Sequence, residues 1–156
     1  MNRDFLRILI KTVKKRKIPG SLVVVTRKFK GERQYLVIKS QKRKSFSFVS
    51  GSLNWGENFQ TAAERELKEE IGLKTENLVE LPIFHEFRYS YLPIKIKSFQ
   101  KIFLLNISAS VKLNVPKKET ENYQWLNIEK LANTLTYPEL MKTFKRVQVL
   151  LKEIDP

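Results

Sequence analysis

The sequence predicts an α+β fold on three observations. Runs rich in β-branched residues occur at Ser21–Thr26 and Gln34–Lys39, a helix-favouring run extends from Asn58 to Ile71, and an amphipathic stripe covers Leu140 to Leu151. At 156 residues the chain suits one domain with its own core and is short for two, so residues 1–156 are expected to form a single domain.

Taken in order, the first element is an amphipathic helix. Asp4 can cap a turn over Phe5 to Val13, where Phe5, Leu6, Leu9, Ile10 and Val13 follow helical spacing, and the basic N-terminal helix is expected within residues 1–17. A mitochondrial-type presequence is the competing reading, opposed by Asp4 and by the lack of serine. Pro19-Gly20 is expected to break the pattern, after which Ser21–Thr26 and Gln34–Lys39 read as strands paired through a Lys30-Gly31-Glu32 turn. Phe46 to Val49 reads as a short strand, and Asn54-Trp55-Gly56 is turn chemistry. The run from Asn58 to Ile71 is rich in alanine and glutamate, Asn58 can cap it, and Gly72 can end it in the left-handed region. Further strands are expected at Leu78–Phe84, Glu86–Tyr91, Phe99–Ile107 and Tyr123–Leu126. Pro138 suits the first turn of a last helix, whose Leu140, Met141, Phe144, Val147, Leu150 and Leu151 form a core-facing stripe.

Composition narrows the partners. Thirty Lys and Arg against 16 Asp and Glu give a formal charge of +14, which attracts polyanions through the summed field. The lysines are spread over nearly every segment, so a solvated basic surface is the competing explanation. With no cysteine there is no disulfide, thiol catalysis or thiolate metal site, and a reducing, cytoplasmic location is expected. No apolar run has the length of a membrane span, so no membrane partner is expected; the oligomeric state is open.

The chemistry concentrates between Gly51 and Leu73. Glu66, Glu69 and Glu70 stand at i, i+3 and i+4 on one helical face, where like charges repel unless a cation neutralises them. A hard divalent metal with oxygen ligands does this, and with substrate phosphates such a site activates water and stabilises a leaving oxygen. An isolated cluster of this kind is more often a solvated helix face, with Arg65 paired to Glu69. Here, however, Gly51, Glu57, Arg65, Glu66, Glu69, Glu70 and Gly72 all fit the 23-residue pattern Gx5Ex7REUxEExGU, with Leu67 and Leu73 as its aliphatic positions. At roughly 7% usage per residue, seven fixed positions coincide by chance about once in a million such chains.

On these residues the sequence resembles the Nudix hydrolase family. The resemblance implies a mixed β-sheet sandwiched between α-helices, with the motif as a loop–helix–loop unit. It implies Glu66, Glu69, Glu70 and the Gly51 carbonyl as ligands of magnesium, or of manganese in its place. Arg65 and Glu57 would hold the carboxylates and the loop, and Gly72 would support the motif. Water would attack a phosphorus within a nucleoside diphosphate linked to another group. Members often add a later-loop glutamate as ligand or general base. Glu119 and Glu121 are available here, and Glu119, six residues before Trp125, is preferred. The lone histidine, His85, falls in a predicted strand and is expected to be structural.

Substrate clues lie outside the motif. Tyr89 and Tyr91 stand 16 and 18 residues after Leu73, where dinucleoside polyphosphate hydrolases carry a tyrosine, so either ring is a candidate for stacking on a base. Together with Tyr123-Gln124-Trp125-Leu126 and the Tyr137–Lys142 stretch, this makes diadenosine tetraphosphate the first expectation. In contrast, Phe48-Val49-Ser50-Gly51-Ser52 is similar to dihydroneopterin triphosphate and dATP pyrophosphohydrolases, so a nucleoside or pterin triphosphate is the alternative. A basic module that binds RNA or processes its 5′ end is the alternative of another class.

Overall fold

A computed structural model describes residues 16–91 and 94–154 of the chain. Strand β1 (Arg16–Phe29) turns through Lys30 and Gly31, both at positive φ, into β2 (Glu32–Ser40). They form the expected antiparallel hairpin, with Thr26 opposite Tyr35. Its start differs from expectation: Arg16 and Lys17 already belong to β1, so no helix extends to residue 17, and residues 1–15 lie outside the described residues. Pro19 and Gly20 lie within β1 instead of breaking it. Proline's fixed φ is compatible with extended backbone, and the Pro19 carbonyl still accepts the Leu53 N–H at 3.0 Å.

The remaining elements are β3 (Phe46–Ser47), β4 (Val49–Ser52), α1 (Phe59–Ile71), β5 (Val79–Tyr91), β6 (Ile94–Asn106), β7 (Thr120–Leu126), α2 (Ile128–Thr134) and α3 (Pro138–Ile154). Two strands expected at 78–84 and 86–91 are one, β5, whose irregularity between Glu80 and Phe84 is absorbed against β6 without ending the pairing. Helix α2 was not expected. It is short, and its start is set by Asn127, whose side chain accepts the Lys130 N–H at 3.1 Å.

The strands form one sheet in the order β3-β2-β1-β6-β5, with β4 also pairing β1 and β7 pairing β2. Strands β1 and β6 run parallel from Arg16 opposite Ile96 to Thr26 opposite Asn106, and the other pairs are antiparallel, so the sheet is mixed. Both its faces are covered, which explains why Leu22 to Val25 are apolar without alternation. Leu22 and Val24 pack with Phe144, Val147 and Leu151 of α3. Val23 and Val25 pack with Ala63, Leu67 and Ile71 of α1. Among the described residues no helix is long and apolar enough to cross a membrane.

Candidate active site

Helix α1 carries the carboxylates, and both its ends are built as its residues dictate. Asn58 accepts the Thr61 N–H at 2.8 Å while Thr61 Oγ1 accepts the Asn58 N–H at 3.1 Å, a reciprocal cap. At the other end Gly72 is left-handed at φ 68°, and the Leu73 N–H reaches back to the Leu67 carbonyl at 3.2 Å. The helix is therefore fixed in length, which holds its carboxylates in register with β4.

Glu66 is buried against β4. A Cβ on Gly51 would collide with its carboxylate, so only glycine permits this approach. The contact recurs one layer deeper: a Cβ on Gly20 of β1 would stand 2.7 Å from the Gly51 carbonyl oxygen. One turn along α1, Glu70 accepts the Ser50 N–H at 3.2 Å. Burial raises the Glu66 carboxyl above the usual range, opposed by its hydrogen bond from Arg65. Glu70 is pushed up to about 8, first by burial and then by repulsion from Glu66, with Glu119 adding to the rise and Arg43 opposing it.

Arg65 ties the unit together. Its Nε donates to Glu57 Oε1 at 2.7 Å and its Nη1 to Glu66 Oε1 at 2.7 Å and Glu69 Oε2 at 3.1 Å. Its Nη2 donates to the Ser52 carbonyl at 2.9 Å and to Glu57 Oε2 at 3.1 Å. These bonds hold the Glu57 carboxyl below its ordinary value and raise the guanidinium well above its own. The same Glu57 carboxylate accepts the Asn54 N–H at 2.8 Å, and the Glu57 N–H returns to the Asn54 carbonyl at 3.1 Å. The turn Asn54–Glu57, with Gly56 at φ 81°, is thereby fastened to the helix.

The structure brings Gly51, Glu57, Arg65, Glu66, Glu69 and Glu70 together, with Gly72 as the cap. Glu119 and Glu121 separate. Thr120, buried at the start of β7, donates its hydroxyl to the Glu70 carbonyl at 2.8 Å and so brings the preceding loop to the end of α1. Glu119 belongs to that loop and acts electrostatically on Glu70. Glu121 instead pairs with Lys44 at 3.0 Å and Lys39 at 3.7 Å, which hold its carboxyl below the usual range. Sequence reasoning missed Ser50, which acts through its backbone, and Thr120, which lies 50 positions from Glu70. Neither carries a local signal.

Tyr89 is 40% exposed and stacks on Phe87, which stacks on His85. His85 is buried, its Nδ1 lies 2.8 Å from Thr143 Oγ1 of α3, and burial lowers its pKa. Tyr91 closes β5 opposite Ile94, and its side chain lies outside the described residues. Gly51 pairs with Ser21, whose row continues to Lys101 and Phe84, while Tyr89 lies in the row of Ile96 and Arg16. Five residues and three strand steps therefore separate Gly51 from Tyr89, about 20 Å.

Glu66, Glu70, Glu69 and the Gly51 carbonyl form an all-oxygen donor set of high negative charge, which fits a hard divalent cation. Among the described residues no three acids already stand in ligating geometry. Glu66 and Glu69 are each engaged by Arg65, and Glu69 is exposed, with room to turn.

A family model of the NUDIX domain matches residues 17–147. An RNA pyrophosphohydrolase of Baumannia cicadellinicola subsp. Homalodisca coagulata is 28% identical over 137 residues, covering 75% of this chain and 86% of that protein. An Ap4A hydrolase of C. elegans, solved as a binary complex, superposes with a TM-score of 0.72 at 20% identity, over 87% of this chain and 98% of that one. The dihydroneopterin triphosphate pyrophosphohydrolase of E. coli superposes with a TM-score of 0.71 at 19% identity, over 85% and 96%. These two establish the fold alone.

Proposed function

Because the chain belongs to the Nudix family, whose members named above hydrolyse pyrophosphate linkages, we propose that it hydrolyses the 5′-polyphosphate end of an RNA, using Glu66, Glu69, Glu70 and the Gly51 carbonyl to hold a divalent cation. The observation that carries the chemistry is the pair of carboxylates set against the backbone of β4, Glu66 buried and Glu70 half-buried. Burial is the first cause that raises both pKa values, so the ionised forms are disfavoured until a cation stands beside them. A divalent cation bound there supplies Lewis acidity and neutralises the diphosphate. Arg65 orients Glu66 and Glu69 and, through Glu57 and Ser52, holds the loop that shapes the site. Glu119, on the loop anchored by Thr120, takes the proton from the attacking water, with Glu70 beside it.

The RNA end is supported by the relative that carries that activity in its name and by the formal charge of +14. A dinucleoside polyphosphate is the second reading, and Tyr89 favours it. Its place 16 residues after Leu73 is where dinucleoside polyphosphate hydrolases carry a tyrosine, and its ring stacks with Phe87 and His85 on the face of the sheet opposite α1.

The test is a magnesium-dependent hydrolysis panel of 5′-triphosphate RNA, diadenosine tetraphosphate, dATP and ADP-ribose, with products resolved by mass. Release of pyrophosphate or phosphate from RNA, faster than turnover of any small nucleotide, is expected. Preferential cleavage of the dinucleotide to ATP and AMP would transfer the assignment to the second reading.

A further inference from the structure

One row of the sheet concentrates positive charge. Lys17 on β1 lies beside Lys97 on β6, and Lys97 lies opposite Arg88 on β5. Residues side by side in adjacent strands share a face, so three cations project together at spacings of about 5 Å. The face is the one that carries α1. Lys17 alternates in phase with Val23 and Val25, which pack under that helix, and Arg88 is in phase with Phe84, which meets Phe59 at the first turn of α1. Lys95, two residues from Lys97, adds a fourth cation.

Like charges directly opposite one another destabilise a sheet. Only Lys97 has an acidic partner among the described residues, Glu86 at 3.0 Å; Lys17, Arg88 and Lys95 have none. The first turn of α1 contains no acid, so the positive end of its dipole adds to the field. The four cations line a recess of about 190 Å³ together with Tyr89, Ser90 and Ile96.

An aromatic ring stands at the same end of the molecule. Leu53 donates to the Pro19 carbonyl, which lays the following turn alongside the part of β1 that carries Lys17. At the first corner of that turn is Trp55, 86% exposed, the most exposed large hydrophobic side chain among the described residues. Its backbone is not loose, because Glu57 and Arg65 fasten the turn to α1. A tryptophan ring exposed on a fastened turn beside four cations, three of them without an acidic partner among the described residues, has the two components of a single-stranded nucleic-acid surface, a stacking ring and a phosphate channel.

We propose that Trp55 and the Lys17–Lys97–Arg88 row, with Lys95, form a track for the single-stranded RNA that follows the reacting 5′ end. The row lies four residues along β1 from Ser21, which pairs with Gly51, a distance of about 13 Å. The inference rests on the RNA reading for its placement, but its test does not need catalysis.

The experiment is fluorescence anisotropy of a 5′-hydroxyl oligoribonucleotide of about eight nucleotides, without divalent cation, titrated at several salt concentrations. Each phosphate contact contributes about 0.7 to the log–log salt slope for a single strand. The triple variant Lys17→Gln, Arg88→Gln, Lys95→Gln should therefore show a slope shallower by about two, with at least tenfold weaker binding at low salt. Trp55→Ala should weaken binding by about fivefold to a hundredfold with the slope unchanged, because the ring is neutral. All four side chains lie on the surface, and thermal melting checks that the variants fold. If the triple variant keeps wild-type affinity and slope, or if the wild type does not bind this RNA, the track is wrong. Slope-dependent binding without hydrolysis of 5′-triphosphate RNA would keep the track and overturn the substrate reading instead.

Discussion

Under α3 the sheet presents Leu22, Val24, Tyr35 and Val37 to a helix that returns Leu140, Phe144, Val147 and Leu151, and the contact is almost wholly apolar. Under α1 the alternate residues Val23, Val25, Leu36 and Ile38 meet a helix whose buried set includes Glu66 as well as Ala63, Leu67 and Ile71. The same strands thus serve two purposes by alternation alone. The α3 side gains apolar burial and aromatic contacts, with Phe144 5.0 Å from Tyr35 and 5.4 Å from Phe48. The α1 side gives up part of that gain to keep carboxylates out of water, and Arg65 and the β4 backbone offset the cost. One face holds the fold while the other holds charge in an unfavourable position that a ligand can relieve.

The largest effect is expected on the α1 face, from Glu70→Gln. Turnover with saturating magnesium should fall by about a hundredfold or more, while thermal stability of the metal-free protein stays level or rises, because the amide replaces a half-buried carboxyl whose ionised form is disfavoured. Full turnover in that variant would remove Glu70 from the mechanism. The converse substitution is Phe144→Ala, which should cost about 3–5 kcal/mol of stability. Its kcat per folded molecule should be near wild type at low temperature. A loss of kcat without a loss of stability would show that the α3 face is not the purely structural half.

The smallest effect concerns His85, one of the buried polar residues on the α3 face beside Gln100 and Ser98. Burial lowers its folded pKa below the ordinary value, partly opposed by the charge of Glu139, and its contacts are Thr143 Oγ1 and the Phe87 ring. The unfolded chain therefore binds more protons between the folded pKa and about 6.5. Stability from the neutral ring is fully present above about pH 6.5 and is lost as pH falls toward the folded value. Denaturant titrations at pH 7.5 and 5.5 should show this loss in the wild type and a smaller one in His85→Gln. Equal losses in both proteins would mean that His85 does not contribute to the acid sensitivity.

How much of this was legible depends on the range of the interaction. The carboxylate register Glu66, Glu69, Glu70 and its arginine were readable because i, i+3 and i+4 geometry is local to any helix, and Asn58 and Gly72 marked its ends for the same reason. The stripe of α3 followed from its 3.6-residue period. By contrast, β5 looked like two strands divided at His85, and what carries the strand through that residue is its pairing with Gln100 of β6, 15 positions away. Pro19 looked like a break because the parallel partner that keeps it extended lies 80 residues away.

The family, the helix that bears the carboxylates and the chemistry those groups are suited to were thus readable from the chain alone, since they rest on residues within one turn or one motif of each other. Only the tertiary structure decided that Glu119 approaches Glu70 while Glu121 turns to Lys39 and Lys44, that a glycine at position 51 makes room for Glu66, and that Lys17, Lys97 and Arg88 form a single row. Those facts depend on which strands pair and in what register. Register is the sum of many weak, distant contacts, none of which leaves a mark on the residues beside it in the chain.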